Sequence, residues 1–276
     1  MFRTIRPFPG VSHITDAMGV SFTLIEGRKR ALLFDTGYGT EDVAAYVRAL
    51  TGKPLTVFLS HGHHDHVLGA RWFERTMMCE EDAAEFRVRT GPEQRMKVKA
   101  QAESSGVAVP PDFTDAPILL PEAISFSGNT GEYENRTENL GENEAIILHV
   151  PGHTPGSIVI YVPEYGLLLT GDDWNPCTWM WFPSSMAADT WRGKMRSLVR
   201  TLDETYGKGV RHVLCSHQPM LREGQELKAY LDYMTEGLMR SAPAVDMGAP
   251  VNTHMIRNEG KDWTLIFDAD KIKSSL

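Results

Sequence analysis

Four side chains of metal-ligand type fall within six consecutive residues, His61-x-His63-x-Asp65-His66. In an extended segment successive side chains alternate between faces, so His61 and His63 project the same way and can grip one ion together. Asp65 and His66 follow where the chain turns into the next helix, and can point at a second ion beside the first. Imidazole nitrogen with carboxylate oxygen is a donor set that suits zinc, and also iron or manganese. A site that activates water needs further ligands, and three candidates stand just beyond apolar runs. They are His153 in Pro151-Gly152-His153-Thr154-Pro155-Gly156-Ser157, Asp172 in Thr170-Gly171-Asp172, and His217 after the run ending at Cys215. By the same alternation His64 points away from its neighbours and is expected behind the ligands or at the surface. His13, His149, His212 and His254 lack ligand spacing and read as structural.

The elements that must position these residues follow from periodicity. Apolar runs at 22–25, 31–34 and 55–59 read as strands, and the third leads straight into the histidine cluster. Val43, Tyr46, Val47 and Leu50 recur at helical spacing across 41–50, with Thr40 as the expected N-cap. Strands are expected again at 145–150, 157–162, 167–170 and 210–215, and a hairpin at 253–256 and 263–267. Helical spacing marks Met195, Leu198, Val199 and Leu202, and then one further helix through Leu227, Tyr230, Leu231, Met234 and Leu238. Strands in both hairpin and strand-helix-strand order predict an α/β protein of mixed sheets layered with helices.

Motif order then carries a resemblance. The Asp35-Thr36-Gly37 turn, the HxHxDH loop, the PGHTPGS segment, the GD turn and His217 resemble the metallo-β-lactamase superfamily along nearly the whole chain. The resemblance implies a four-layer αββα sandwich, two mixed β-sheets face to face with helices outside. Carried over residue by residue, it implies that His61, His63 and His153 bind a first metal, that Asp65, His66 and His217 bind a second, and that Asp172 bridges them. Two Zn2+ per chain is the expected content, with Fe or Mn as alternatives. Water activated there is the expected nucleophile, oriented by Asp65, and a small thioester, lactone or related carbonyl compound is the expected substrate of a glyoxalase II-like or lactonase-like hydrolase. Alternatives on the same fold are a mononuclear iron sulfur dioxygenase and a phosphodiesterase or nuclease. No cysteine stands at the matched second-metal positions, which points away from β-lactamases that use one.

Just beyond Asp172, the segment Asp173-Trp174-Asn175-Pro176-Cys177-Thr178-Trp179-Met180-Trp181-Phe182 contains half of the chain's six tryptophans. Trp174, Trp179 and Trp181 are expected as an aromatic wall of the substrate pocket, the alternative being local core or the interface of a homodimer. With 276 residues, 42% of them hydrophobic and 23% charged, the chain can bury a sizeable core. It is expected to fold as a single domain over 1–276, with an insertion at about 90–143 where Pro110-Pro111, Gly128, Gly131 and many polar residues interrupt the periodicity.

A formal charge of -8, from 28 basic and 36 acidic residues, disfavours a nucleic-acid partner. The basic residues between Arg87 and Lys99 read as a solvated helix face rather than a phosphate track. Three cysteines without CxxC spacing argue against a disulfide framework or a thiolate zinc cluster, and Cys215 reads as core. No GxSxG, P-loop or GxGxxG in strand-helix context is present, so neither a serine nucleophile nor a nucleotide cradle is expected. No apolar run reaches the ~20 residues of a membrane span, nor does the amino-terminal stretch show a signal-peptide core. The expected partner is a small molecule, not a membrane, and the expected location is the cytoplasm.

Overall fold

Short runs rich in Ile, Leu, Val and Phe pair into three sheets in the computed structural model, which describes residues 1–141 and 143–272. The first sheet follows sequence order: β1 (Arg3–Phe8), β2 (Val11–Thr15), β3 (Ser21–Glu26), β4 (Ala31–Phe34), β5 (Leu55–Phe58), β6 (Met77–Met78) and β7 (Glu122–Ala123). It is antiparallel as far as β4 and parallel beyond it. The second is ordered β8 (Gly128–Thr130), β9 (Tyr133–Asn139), β10 (Glu144–His149), β11 (Ile158–Val162), β12 (Leu167–Leu169), β14 (His212–Leu214) and β15 (Arg222–Glu223). Its single parallel pair is β12 with β14. In a third, smaller sheet β13 (Cys177–Met180) lies parallel to β17 (Trp263–Asp268), which pairs in turn with β16 (Thr253–Asn258).

Alternation along the strands builds the layers. Ala145 and Ile147 of β10 face inward with Ile158 and Ile160 of β11, and meet Ile25, Leu32, Phe34 and Phe58 of the first sheet. Ile146, Leu148, Val159 and Tyr161 face outward, onto α5 (Ala188–Thr205) and α6 (Gly224–Tyr233) through Trp191, Met195, Leu198, Leu202 and Leu227. On the far side Leu24, Leu33 and Val57 of the first sheet pack against Val43 and Val47 of α1 (Val43–Leu50) and Phe86 of α3 (Ala83–Arg89). Strands covered on both faces must be apolar throughout, and β11, Ile-Val-Ile-Tyr-Val, is buried at every position. The expected αββα sandwich is the architecture found, with a third sheet in addition.

Several local expectations are corrected. Asp42, not Thr40, caps α1, because its carboxylate accepts from the Ala45 N–H at 2.8 Å. The helix expected through Leu238 is two, α6 and α7 (Glu236–Ser241), since Met234 leaves helical geometry and the Thr235 hydroxyl caps the second at Leu238 N. The strand expected over 210–215 is confined to β14. The segment 90–143 contains α4 (Pro92–Ser104), β7, β8 and β9, and β9 pairs with β10 along the second sheet.

The site's position follows from strand direction. β4 and β5 run parallel, and β10, β12 and β14 share one direction, β10 and β12 both being antiparallel to β11. Their carboxyl ends gather at the seam between the two large sheets, where Ile158 N donates to Ser60 O at 2.9 Å and Ser21 N to Ser216 O at 2.6 Å. Gly171 makes the approach possible: its φ is +54°, and a β-carbon there would fall 2.8 Å from Ser60 Cβ.

Candidate metal centre

Beyond β5 the chain stays extended through Ser60-His61-Gly62-His63 and then winds into α2 (His64–Val67), so His61 and His63 reach the seam from one face. The loop after β10 brings His153 to them, with His153 Nε2 lying 3.0 Å from His63 Nδ1. Ligand-type atoms of His61, His63 and His153 all lie within 4.8 Å of one another. Asp65, His66, Asp172 and His217 form a second group on the same criterion. The groups adjoin, because Asp172 Oδ2 is 3.1 Å from His217 Nε2, 3.3 Å from His66 Nε2 and 3.8 Å from His153 Nε2. All seven ligand residues expected from sequence therefore meet in one place.

Outer partners assign the ring tautomers. Asp35 ends β4 and takes a φ of +68°, rare for a residue with a side chain. Its Oδ1 accepts from Ser60 N at 2.6 Å, and its Oδ2 accepts from Ser60 Oγ at 2.8 Å and His66 Nδ1 at 3.0 Å. With its only proton given to Asp35, Ser60 Oγ must accept from His61 Nδ1, at 2.9 Å. The His61 Nε2 lone pair is thereby left buried with no protein partner. His153 Nδ1 donates to Trp179 O at 2.8 Å, and His63 Nε2 faces Glu85 Oε1 at 3.4 Å, so the lone pairs of His153 Nε2 and His63 Nδ1 confront each other. Lone pairs in that arrangement fit a cation between them. The nitrogen and oxygen donor set suits zinc, iron or manganese.

The two groups differ in charge. Burial, reinforced by the neighbouring imidazoles, holds His61 well below the ordinary histidine range and His153 down to about 3. Burial works against ionisation in the second group too, but there opposite charges outweigh it. His66 is raised well above its usual value by Asp172, Asp65 and Asp35, while both Asp65 and Asp172 are held well below theirs by His66 and His217. The carboxylates of this group and the two imidazoles thus favour each other's charged forms, and a divalent cation seated among them would take over the role of the ring protons.

A cavity of about 410 Å³ opens over both groups. Tyr38, His64 and Arg89 line it with Asn175, Cys177, Trp179, Phe182 and Gln218. The alternation of β13 puts Cys177 and Trp179 on its exposed face and Thr178 and Met180 in the interior. Phe182 lies against His63, ring centres 4.6 Å apart, and Trp181 stacks behind it at 4.5 Å. Of the three tryptophans expected at the pocket, Trp179 lines it and Trp181 backs it. Trp174 does not reach it: Thr170 Oγ1 donates to Trp174 O at 2.7 Å, and the ring is fully buried on the edge of Tyr230.

Comparison with known proteins places this geometry. Residues 15–183, more than half of the chain, match the family profile of the metallo-beta-lactamase superfamily. The chain belongs to that superfamily. It is 26% identical over 176 residues to acyl-coenzyme A thioesterase MBLAC2 of Gallus gallus, covering 55% of this chain and 60% of that protein. It is 30% identical over 165 residues to beta-lactamase-like protein 2 homolog of Drosophila melanogaster, covering 56% of this chain and 46% of that one. The chain thus spans less than two thirds of the length of these curated relatives. Among solved structures it resembles the sec-alkylsulfatase Pisa1 from Pseudomonas sp., with a TM-score of 0.63 at 16% identity over 86% of this chain and 42% of that one. It also resembles the metallo-beta-lactamase from Pontibacter korlensis, with a TM-score of 0.53 at 17% identity over 84% of this chain and 98% of that one.

Several residues around the superfamily site were not singled out by sequence reasoning. Asp35 and Ser60 orient His66 and His61, and the only available signal was the Asp-Thr-Gly turn. Asp82 is fully buried and ties the two histidine loops together, accepting from Gly62 N, Gly156 N and Thr154 Oγ1, each at 2.7 Å. The basic run is corrected in part: Arg95 is buried, donating to Phe113 O and Ala116 O, and Arg89 lines the cavity. Cys79, Glu81 and His149 form a further group of ligand-type residues, but the Cys79 thiol donates to Glu81 and His149 Nε2 bonds Pro155 O.

Proposed function

We propose that the chain is a metal-dependent hydrolase of small thioesters, with two zinc ions as its resident metals. The observation that carries this reading is the pair of adjoining groups of ligand-type residues on the floor of an aromatic cavity. His61 Nε2, His63 Nδ1 and His153 Nε2 would hold one ion. Asp65, His66 Nε2 and His217 Nε2 would hold the other, with Asp172 between them. When bound, the ions supply Lewis acidity toward a carbonyl and make water acidic enough to deprotonate near neutral pH.

The chain's own groups do the rest. Asp65 Oδ2 faces His66 and His217, and Oδ1, 4.0 Å from His64 Nδ1, is the oxygen left to orient the attacking water. Its carboxyl is held ionised despite burial, so the oxygen that orients the water is an acceptor, though a weak base. Trp179 and Phe182 hold the apolar or flat part of the substrate against the cavity wall and exclude water from it. Water adds to the thioester carbonyl, the C–S bond breaks, and a carboxylic acid and a thiol leave.

Thioesters are preferred over lactones because relatives at 23–26% identity bear the name acyl-coenzyme A thioesterase. The test is metal analysis with a substrate panel. Two zinc per chain, with thioester hydrolysis abolished in His63→Ala, is the expected result. One iron with oxygen consumption, preferential hydrolysis of lactones or phosphodiesters, or activity undiminished in His63→Ala would overturn the proposal.

A further inference from the structure

Among the described residues, the only lysine or arginine lining the cavity is Arg89. It stands at the last position of α3, and its side chain is a quarter exposed. Its one hydrogen bond among the described residues runs from Nε to Glu85 Oε1 at 2.7 Å, so the two Nη groups of the guanidinium fork are uncommitted. Two contacts hold the fork in place. Glu85 faces His63 Nε2, and the Arg89 Cζ lies 5.9 Å from the centre of the Phe182 ring. The result is a pre-oriented cation one carboxylate away from a candidate ligand, on the lining of the cavity. In a chain of formal charge -8, long-range electrostatics repel anions, so a cation built into this cavity serves short-range recognition.

We propose that Arg89 is the anion-recognising residue of the cavity, and that the preferred substrates carry a carboxylate, phosphate or sulfate group beside the apolar segment that Trp179 and Phe182 receive. A guanidinium fork matches such oxyanions in a bidentate manner, and an ammonium does so less well. The substrate half of this inference rests on the thioesterase reading above, whereas the anion site does not.

The test uses zinc-loaded protein and three thioesters: hexanoyl N-acetylcysteamine, which is neutral; hexanoyl 3-mercaptopropionate, charged on the thiol half; and adipoyl N-acetylcysteamine, charged on the acyl half. In wild type one charged thioester is expected to exceed the neutral one in kcat/KM by about tenfold or more, mainly through KM, and which one does so locates the anion. Arg89→Ala removes that preference, Arg89→Lys restores part of it, and Glu85→Gln, which weakens the anchor of the fork, reduces it. Zinc content, measured for each variant, stays the same in Arg89→Ala.

An equilibrium measurement separates the two readings. Calorimetric titration with adipate and with hexanoate compares ligands that share one carboxylate for the zinc ions and differ in a second for Arg89. Adipate is expected to bind more tightly, and the gap to close in Arg89→Ala. If no thioester is cleaved while the adipate gap holds and closes, the hydrolase reading falls and the anion site stands. If thioesters are cleaved without charge preference, or if the preference survives in Arg89→Ala, the inference about Arg89 is overturned and the hydrolase reading stands.

Discussion

Replacing Asp82 with asparagine removes one acceptor oxygen from a buried group that serves three donors. Gly62 N and Thr154 Oγ1 both donate to Oδ2, and Gly156 N donates to Oδ1. Thr154 can rotate its hydroxyl, but the two backbone N–H groups cannot turn away. Whichever way the amide is placed, its NH2 confronts one of them and leaves it buried and unpaired. Such an orphan costs about 1–3 kcal/mol. Part of that is offset, because burial raises the Asp82 carboxyl above its usual value and the neutral amide avoids this desolvation. The expected net loss is about 1–2 kcal/mol, which in a chain of this size lowers Tm by about 3–6 °C. Gly62 lies between His61 and His63, and Gly156 lies in the loop of His153, so the same change loosens the first ligand group. Zinc affinity there is expected to fall by about tenfold. Scanning calorimetry and competition against a chromogenic chelator read the two effects separately. An unchanged Tm together with unchanged zinc affinity would refute the view that Asp82 fastens the two histidine loops.

Three further changes probe other parts of the argument. Trp174→Ala, at a fully buried site, should cost about 3–5 kcal/mol in urea unfolding, whereas Trp179→Ala should cost under about 1 kcal/mol and raise KM for acyl thioesters; equal stability losses would contradict the placement of the two rings. His13 Nε2 donates to Gln218 O and its Nδ1 accepts from Thr23 Oγ1, and burial lowers its pKa to about 4. The native state then stays neutral while the unfolded chain takes up a proton below pH 6.5, so stability is full above that value and falls towards pH 4. Between pH 7 and pH 4 the wild type should lose about 3 kcal/mol relative to His13→Asn, and parallel pH profiles of the two would disprove it. A β-carbon at Gly156 would fall 2.7 Å from Asp82 Oδ1, so Gly156→Ala should reproduce the weakened zinc binding of Asp82→Asn; wild-type affinity in that variant would count against the linkage.

The candidate ligands were legible because histidine and aspartate are costly to place at the buried ends of apolar strands unless something binds them there. The layers were legible because both faces of each large sheet are covered, which forces strand runs such as Ile158–Val162 to be apolar throughout. The groups that hold the ligands were harder to see. Asp82 and Glu85 are indistinguishable by type from the many acidic residues that face solvent, Asp35 showed only as part of the Asp-Thr-Gly turn, and only the fold shows what they accept from. Arg89 falls in a run of charges that reads as a wet helix face, because helical spacing says which residues share a side and not what that side overlooks. Trp179 and Trp181, two apart, would share a face if the strand continued, but β13 ends at Met180. The paired helices α6 and α7 were read as one because the apolar spacing runs on past Thr235, and Gly237, two residues later, sits inside the second helix rather than between the two.

The ligand set is divided between the two halves of the sandwich: His61, His63, Asp65 and His66 come from the first large sheet, and His153, Asp172 and His217 from the second. A polypeptide ending before β10 would keep the whole HxHxDH signature yet lack one donor of one trio and two of the other group. The signature by itself is therefore half a clasp. Whatever ion seats there fastens the two sheets to each other, so metal capture and the closing of this edge of the molecule are one event.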